Sequence, residues 1–204
     1  MPGLSLVLGG ARSGKSGYAE KLAAACGPRV LYVATAEACD AELAERIRRH
    51  RERRPPDWQT IEAPLDPVAA AEQAGAGWDA VLFESLSLWV SNLLLARLPA
   101  ARDLPPSDAA RVEEEILGMV RGLAAWQRAS GTCLIVVSDE VGHGVVPPYP
   151  VGRLFRDLLG VANQLAAAEA QQVYYLVAGL GIEIKALGAS AAAPHLPPPF
   201  ARKE

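Results

Sequence analysis

The chain has 204 residues, half of them apolar, and a formal net charge of −3. That length suits one globular domain with a full core, and the acidic balance excludes a general nucleic-acid binder, whose phosphate-facing surface would be basic. No run of about 18 apolar residues is present to span a bilayer. The N-terminus enters a glycine loop without the layout of a signal peptide, and the three cysteines, Cys26, Cys39 and Cys133, share no metal-ligand spacing, so a cytoplasmic protein with reduced thiols is expected.

In chain order, Leu4–Leu8 is a short apolar run ending in glycines, as a buried strand does, and Lys15–Cys26 follows as a helix. Val30–Ala34 ("VLYVA") is a second buried strand. Asp40–Arg54 is helical, with Leu43, Ile47 and His50 on one face by their spacing, and Pro55-Pro56 stops it. Trp58–Glu62 is a candidate short strand, Pro67–Ala74 an alanine-rich helix, and Ala80–Phe83 a third apolar strand. Ser87–Arg97 is helical with Trp89, Leu93 and Leu94 inward, and the proline-rich Leu98–Ser107 is a loop. Asp108–Ala129 is a long amphipathic helix with Val112, Ile116, Met119, Leu123 and Trp126 as its core stripe. Cys133–Val137 is another buried strand, Asp139–Gly152 a glycine- and proline-rich loop, Arg153–Gln171 a helix and Val173–Val177 the last strand. Residues 1–188 form the single domain expected, and Ala189–Glu204 an Ala/Pro-rich disordered tail. Strands apolar throughout, alternating with helices, predict an α/β fold: a mostly parallel sheet covered by helices on both faces.

"GGARSGKS", comprising Gly9, Gly10, Ala11, Arg12, Ser13, Gly14, Lys15 and Ser16, fits the phosphate-loop pattern G-x-x-x-x-G-K-[ST] between a strand and a helix. Its glycines let the backbone turn amides around phosphate oxygens, and the helix N-terminus adds its dipole. Lys15 is expected to reach the β- and γ-phosphates and the Ser16 hydroxyl to ligate Mg²⁺, with Glu84, at the carboxyl end of the third strand, holding the same cation shell. The fold class is thus P-loop NTPase-like. Glu140, in "VSDEVGHGVVP", ends a strand in the same way as Glu84, in a loop placed where α/β proteins make ligand contacts. His143, flanked by glycines, is expected to be an exposed loop residue.

"ERIRRHRERRPPDW", Glu45 to Trp58, sets His50 among six arginines. Two accounts fit. Arginines near a helix C-terminus complement its dipole as a solvated face. Alternatively, guanidinium charges keep a nearby imidazole neutral and nucleophilic, and the same charges neutralise a bound triphosphate, so that His50 attacks an α-phosphate.

Taken together, "GGARSGKS", "LYVATAE", "RIRRHRERRPPDWQTIE", "SLWVSNLL", "VSDEVGHGVVP", "GRLFRDLLGVANQLAAAEAQQV" and "GLGIEIK" resemble one family in content and order, over about Leu4 to Lys185. This is the bifunctional adenosylcobinamide kinase / adenosylcobinamide-phosphate guanylyltransferase family of cobalamin biosynthesis. The resemblance implies two reactions: phosphorylation of adenosylcobinamide by ATP or GTP, then transfer of GMP from GTP through a guanylyl-histidine to give adenosylcobinamide-GDP. It implies that His50 is the guanylylated histidine. It also implies nucleotide contacts at Gly9–Ser16, at Ala34, Thr35 and Ala36, at Arg51, Glu52, Arg53 and Arg54, and at Glu62 and Glu84. The partners implied are adenosylcobinamide, its phosphate and the two nucleotides, with Mg²⁺ as cofactor, in a homotrimer. Two departures stand out: Asp139 and Ser85-Leu86-Ser87 occupy positions where the family usually has Asn and Cys-Leu-Thr. The competing readings are a P-loop kinase of another small metabolite, without a transferase step, and a nucleotide-dependent switch without turnover.

Overall fold

The computed structural model describes residues 3–37, 41–52, 54–98 and 106–188, with only the backbone of 41–44, 46, 47, 106 and 107. The tail expected over Ala189–Glu204, most of the proline-rich loop, Cys39, Arg53 and the inward face expected from Leu43 and Ile47 lie outside this description.

Among the described residues, the strands are β1 (Leu4–Gly9), β2 (Val30–Ala34), β3 (Gln59–Glu62), β4 (Ala80–Glu84), β5 (Cys133–Asp139), β6 (Gln172–Val177) and β7 (Leu180–Glu183). The helices are α1 (Lys15–Cys26), α2 (Ala41–Glu52), α3 (Pro67–Gln73), α4 (Leu86–Arg97), α5 (Pro106–Ser130), α6 (Pro150–Glu169) and the single turn α7 (Ile184–Leu187). The strands form one sheet in the order β3-β2-β4-β5-β1-β6-β7. Pairing is parallel throughout except for the β6–β7 hairpin.

The central strands lack polar alternation because each is covered on both faces. On one face Leu31, Val33, Val81, Phe83, Leu134 and Val136 pack against α4, α5 and α6 through residues such as Trp89, Ile116 and Leu159. On the other, Val7, Tyr32, Leu82, Ile135 and Val137 pack beneath Ala19 and Ala23 of α1. The rings of Phe83 and Trp89 meet edge to face at 5.5 Å, an arrangement that contributes about 0.5–1.5 kcal/mol beyond simple burial. Trp89, Leu93 and Leu94 are buried, as their spacing predicts. The buried stripe of α5 is wider than expected: Leu117, Val120 and Ala124 join Val112, Ile116 and Leu123, while Met119 and Trp126 are only partly buried.

Helices α5 and α6 begin at Pro106 and Pro150, two and three residues earlier than the periodicity suggested. Proline, read as loop chemistry, opens these helices because a first-turn N–H has no intrahelical partner to lose. The last strand is β7, where β6 was expected to close the sheet. Val177 pairs with Leu180 across a two-residue turn in which Ala178 (φ 53°) and Gly179 (φ 82°) are both left-handed, the geometry of a type I′ hairpin. Ala178 is not the Asn or Asp that usually signals this turn, and β7 is short and mostly exposed. β5 also runs past Val137 to Asp139, which pairs with Gly9.

Candidate active site

The phosphate loop leaves the carboxyl end of β1 and enters α1. A Cβ on Gly9 would strike Ser13 Oγ and lie 2.8 Å from the Leu176 carbonyl oxygen. Gly14 has φ 94°, and a Cβ there would approach Gly179 Cα to 3.2 Å. Both positions therefore require glycine, for space in one case and for conformation and space in the other. Arg12 takes φ 57°, a left-handed conformation rare for a residue with a side chain and concentrated at functional loops. The amide of Ser13 donates to Gly10 O at 3.2 Å and that of Gly179 to Ser13 O at 2.8 Å. The β6–β7 turn thus props the loop from behind, which gives the glycines of "GLG" a structural role.

Lys15, Ser16, Ala34, Ala36, His50, Arg51, Arg54, Glu62 and Glu84, all expected at the site, line one cleft at the carboxyl ends of the parallel strands. Tyr32, Ser85, Leu88 and Asp139, which the sequence did not single out as contacts, line it too. Ligands of open α/β sheets bind at this end of the strands.

Lys15 Nζ donates to Gly10 O at 3.2 Å and pairs with Asp139 Oδ1 at 2.5 Å. Asp139 is held in turn: Ser87 Oγ donates to its Oδ2 at 2.5 Å and Asn163 Nδ2 to its backbone carbonyl at 3.0 Å. Ser16 Oγ donates to Glu84 Oε1, and Tyr32 OH to Glu84 Oε2 at 2.6 Å. Burial, followed by the charge of Glu84, raises the Tyr32 phenol well above its ordinary range, so it remains a donor. The Arg54 guanidinium lies over the Tyr32 ring, 3.3 Å from its centroid, and Arg54 Nη1 donates to Thr60 Oγ1 at 3.2 Å. Ser16 and Glu84 together offer hydroxyl and carboxylate oxygen to the cleft, the hard donor set that suits a Mg²⁺ arriving with a nucleotide.

The arginine-rich segment divides between the two accounts offered for it. Arg48 and Arg49 lie on its exposed side, paired with Glu45, whose carboxyl their hydrogen bonds hold down at about 2. Arg51 and Arg54 instead line the cleft beside half-buried His50, and Arg51 pairs with Glu62 at 2.8 Å. One side-chain ligand atom each of His50, Glu84 and Glu20 lie within 4.8 Å of one another. Glu20, on α1, had no place in the sequence-based site.

Several expectations are corrected. Thr35 is fully buried; its hydroxyl donates to Ser85 O at 2.8 Å and accepts from Ser85 N at 2.7 Å, so its side chain shapes the cleft floor between β2 and β4. Glu52 turns back along α2 to pair with Arg48, because i,i+4 neighbours meet on a helix surface. Glu140 accepts from the Gly142 amide at 2.5 Å, closing its own turn, and leaves the cleft to Asp139. His143, by contrast, is exposed as expected, its Nδ1 3.4 Å from Tyr175 OH. Among the described residues, no helix is long and apolar enough to cross a membrane.

Residues 5–184 match the sequence model of a family described as cobinamide kinase / cobinamide phosphate guanyltransferase. The bifunctional adenosylcobalamin biosynthesis protein CobU of Salmonella typhimurium is 41% identical over 182 residues, covering 88% of this chain and 98% of that protein. CobP of Pseudomonas aeruginosa, which carries the same bifunctional description, is 39% identical over 180 residues, covering 88% of this chain and 96% of that one. CobU of Escherichia coli is 38% identical over 182 residues, with coverage of 88% and 98%.

Proposed function

This chain belongs to the cobinamide kinase / cobinamide phosphate guanyltransferase family, and from that premise we propose that it carries out both reactions of cobalamin biosynthesis in one cleft, with His50 as the covalent carrier of GMP. The observation that carries this reading is the presence of His50 in the same cleft as Lys15 and Ser16 of the phosphate loop.

In the kinase step the aminopropanol hydroxyl of adenosylcobinamide attacks the γ-phosphorus of ATP or GTP. The new O–P bond forms as the bond to the β-phosphate oxygen breaks, the nucleoside diphosphate leaves, and the hydroxyl proton passes to solvent. The amides of Gly9–Ser16 and the Lys15 ammonium hold the phosphates in line, which is most of what phosphoryl transfer asks of a protein. Ser16 and Glu84 are the residues that would hold Mg²⁺, which neutralises phosphate charge when bound.

In the transferase step a ring nitrogen of His50 attacks the α-phosphorus of GTP. The N–P bond forms, the bond to the bridging oxygen breaks, and pyrophosphate leaves. A phosphate oxygen of adenosylcobinamide phosphate then attacks the same phosphorus, the N–P bond breaks, and adenosylcobinamide-GDP departs. Arg51 and Arg54 supply positive charge at the triphosphate, and Ala34, Ala36 and Glu62 complete the nucleotide wall. We further propose a cytoplasmic homotrimer. The apolar side chains exposed along the edge hairpin, including Val177, Leu180 and Ile182, support subunit contact, since such surface is normally covered.

The test is incubation with α-labelled GTP followed by denaturation. Label should stay on the wild-type protein, survive alkali and be lost in mild acid, as a phosphoramidate requires. His50→Ala should lose both label and transferase turnover and keep cobinamide phosphorylation. Label persisting on His50→Ala, or an adduct mapped to His143, would remove His50 from the mechanism. Phosphorylation without any labelled intermediate would favour a plain metabolite kinase.

A further inference from the structure

We infer that Glu20 is a positioning residue for the transferase step, its carboxylate holding the His50 ring nitrogen that does not attack and so aiming the other at the α-phosphorus. This rests on the reading of His50 as the GMP carrier.

Glu20 sits on α1 four residues after Ser16, which on a helix is the same face one turn along. It is half-buried, and its charge is near enough to Tyr32 to help raise that phenol. Its carboxylate, the His50 imidazole and the Glu84 carboxylate each bring an atom within 4.8 Å of the other two. The two acids have different duties. Both oxygens of Glu84 already accept a hydroxyl, from Ser16 and from Tyr32, and Glu84 is the acid assigned to the nucleotide's cation. Glu20 lies outside the phosphate loop, and the cation is assigned to Ser16 and Glu84, which leaves the Glu20 carboxylate for His50.

The reaction creates a need for such a group. When one ring nitrogen of His50 bonds to phosphorus, the ring becomes cationic, its second nitrogen keeping its proton. Arg51 and Arg54 line the same cleft. They favour the incoming triphosphate, but once pyrophosphate has left they oppose a positive ring. A carboxylate on the second nitrogen offsets that opposition and fixes the tautomer without taking the proton. When adenosylcobinamide phosphate attacks, the N–P electron pair returns to the ring, which is again neutral with its N–H still directed at Glu20.

The experiment compares wild-type protein, Glu20→Gln, Glu20→Asp and His50→Ala. It measures the rate at which α-labelled GTP marks the denatured protein, kcat and KM for GTP in the transferase assay, and cobinamide phosphorylation. Glu20→Gln is expected to lower labelling and transferase kcat by about 10²–10⁴-fold, the range for a group that orients or assists a catalytic histidine, with KM for GTP little changed and phosphorylation retained. Glu20→Asp, which keeps the charge, is expected to recover part of the loss. Unchanged kcat in Glu20→Gln overturns the inference, as does a change confined to KM. Loss of both activities in both variants together with a lowered melting point would make Glu20 structural, which also overturns it. Recovery of Glu20→Gln by added Mn²⁺ would make the three-residue cluster a cation site instead. Absence of label on wild-type protein, or label on His50→Ala, would refute the proposed function itself. Equal labelling of wild type and Glu20→Gln at His50 refutes the role of Glu20 alone.

Discussion

Lys15 and Asp139 form an ion pair, Nζ to Oδ1 at 2.5 Å, that ties the first residue of α1 to the last of β5. The pair follows from strand register: β5 stays paired with β1 up to Gly9, so its final residue lies beside the phosphate loop. Ser87 and Asn163 then fix Asp139 in place. A phosphate that recruits Lys15 must take it from a carboxylate, and that carboxylate also repels the phosphate.

Asp139→Asn should therefore keep both activities and bind nucleotide about fivefold more tightly, the scale of one partly exposed ion pair. Asparagine retains an oxygen for the Ser87 hydroxyl and removes only the charge. Nucleotide titration at low and high salt checks this, with the gain shrinking at high salt as screening grows. Equal or weaker binding by the variant would show that Asp139 does not compete for Lys15.

Arg51 and Arg54 should part company when each is changed to Ala. Both variants should use GTP less well in the transferase assay. The Arg51 pair with Glu62 is solvent-exposed, so its loss should leave stability within about 0.5 kcal/mol. Arg54 lies on the buried Tyr32 ring and bonds Thr60. Its loss removes a contact of about 0.5–2 kcal/mol, lowering the melting point by roughly 1–8 °C in a chain of this size. Matching melting curves for the two variants would mean that the Arg54 stack contributes nothing to the fold.

What was legible in the sequence had a local cause. "VLYVA", "AVLFE" and "CLIVV" announce buried strands because both faces of the sheet are covered, and the phosphate loop announces itself because its chemistry demands glycine at fixed offsets. The parts missed depend on register and on approach from elsewhere. Of the adjacent acids Asp139 and Glu140, the cleft takes Asp139 because β5 ends one residue before Glu140, and no spacing rule in "VVSDEVG" settles where a strand stops. Tyr32 sits in an apolar run and is 2% exposed, which marks it as core, yet its hydroxyl serves Glu84 at the strand end. Glu20 looks like an ordinary helical acid until α2 brings His50 over it. Thr35 occupies the turn after β2 where a contact was expected, and strand-to-strand hydrogen bonding with Ser85 claims it.

Cys26 and Cys133 join the far end of α1 to the start of β5, their sulfurs 2.7 Å apart. Burial first, and then the hydrogen bond with Cys26, raise the Cys133 thiol from its ordinary value of 9.0 to about 12. The folded state thus prefers the neutral thiol more strongly than the unfolded chain does. The sign follows by linkage: this contribution is fully present below pH 9.0 and is lost as pH rises through the folded value near 12. Unfolding free energy should therefore fall across that window by up to about 1.4 kcal/mol per pH unit from this group. Tyr32 and Tyr174, whose phenols burial also raises, add to the same alkaline slope, so the informative quantity is the difference between wild type and Cys133→Ala. Urea unfolding at a series of alkaline pH values should show the shallower slope in the variant. In native protein at pH 8, an alkylating reagent should mark exposed Cys26 and spare buried Cys133 until the chain unfolds. Identical slopes in the two proteins, or alkylation of Cys133 as fast as that of Cys26, would show that the thiol is neither shielded nor held neutral by the fold.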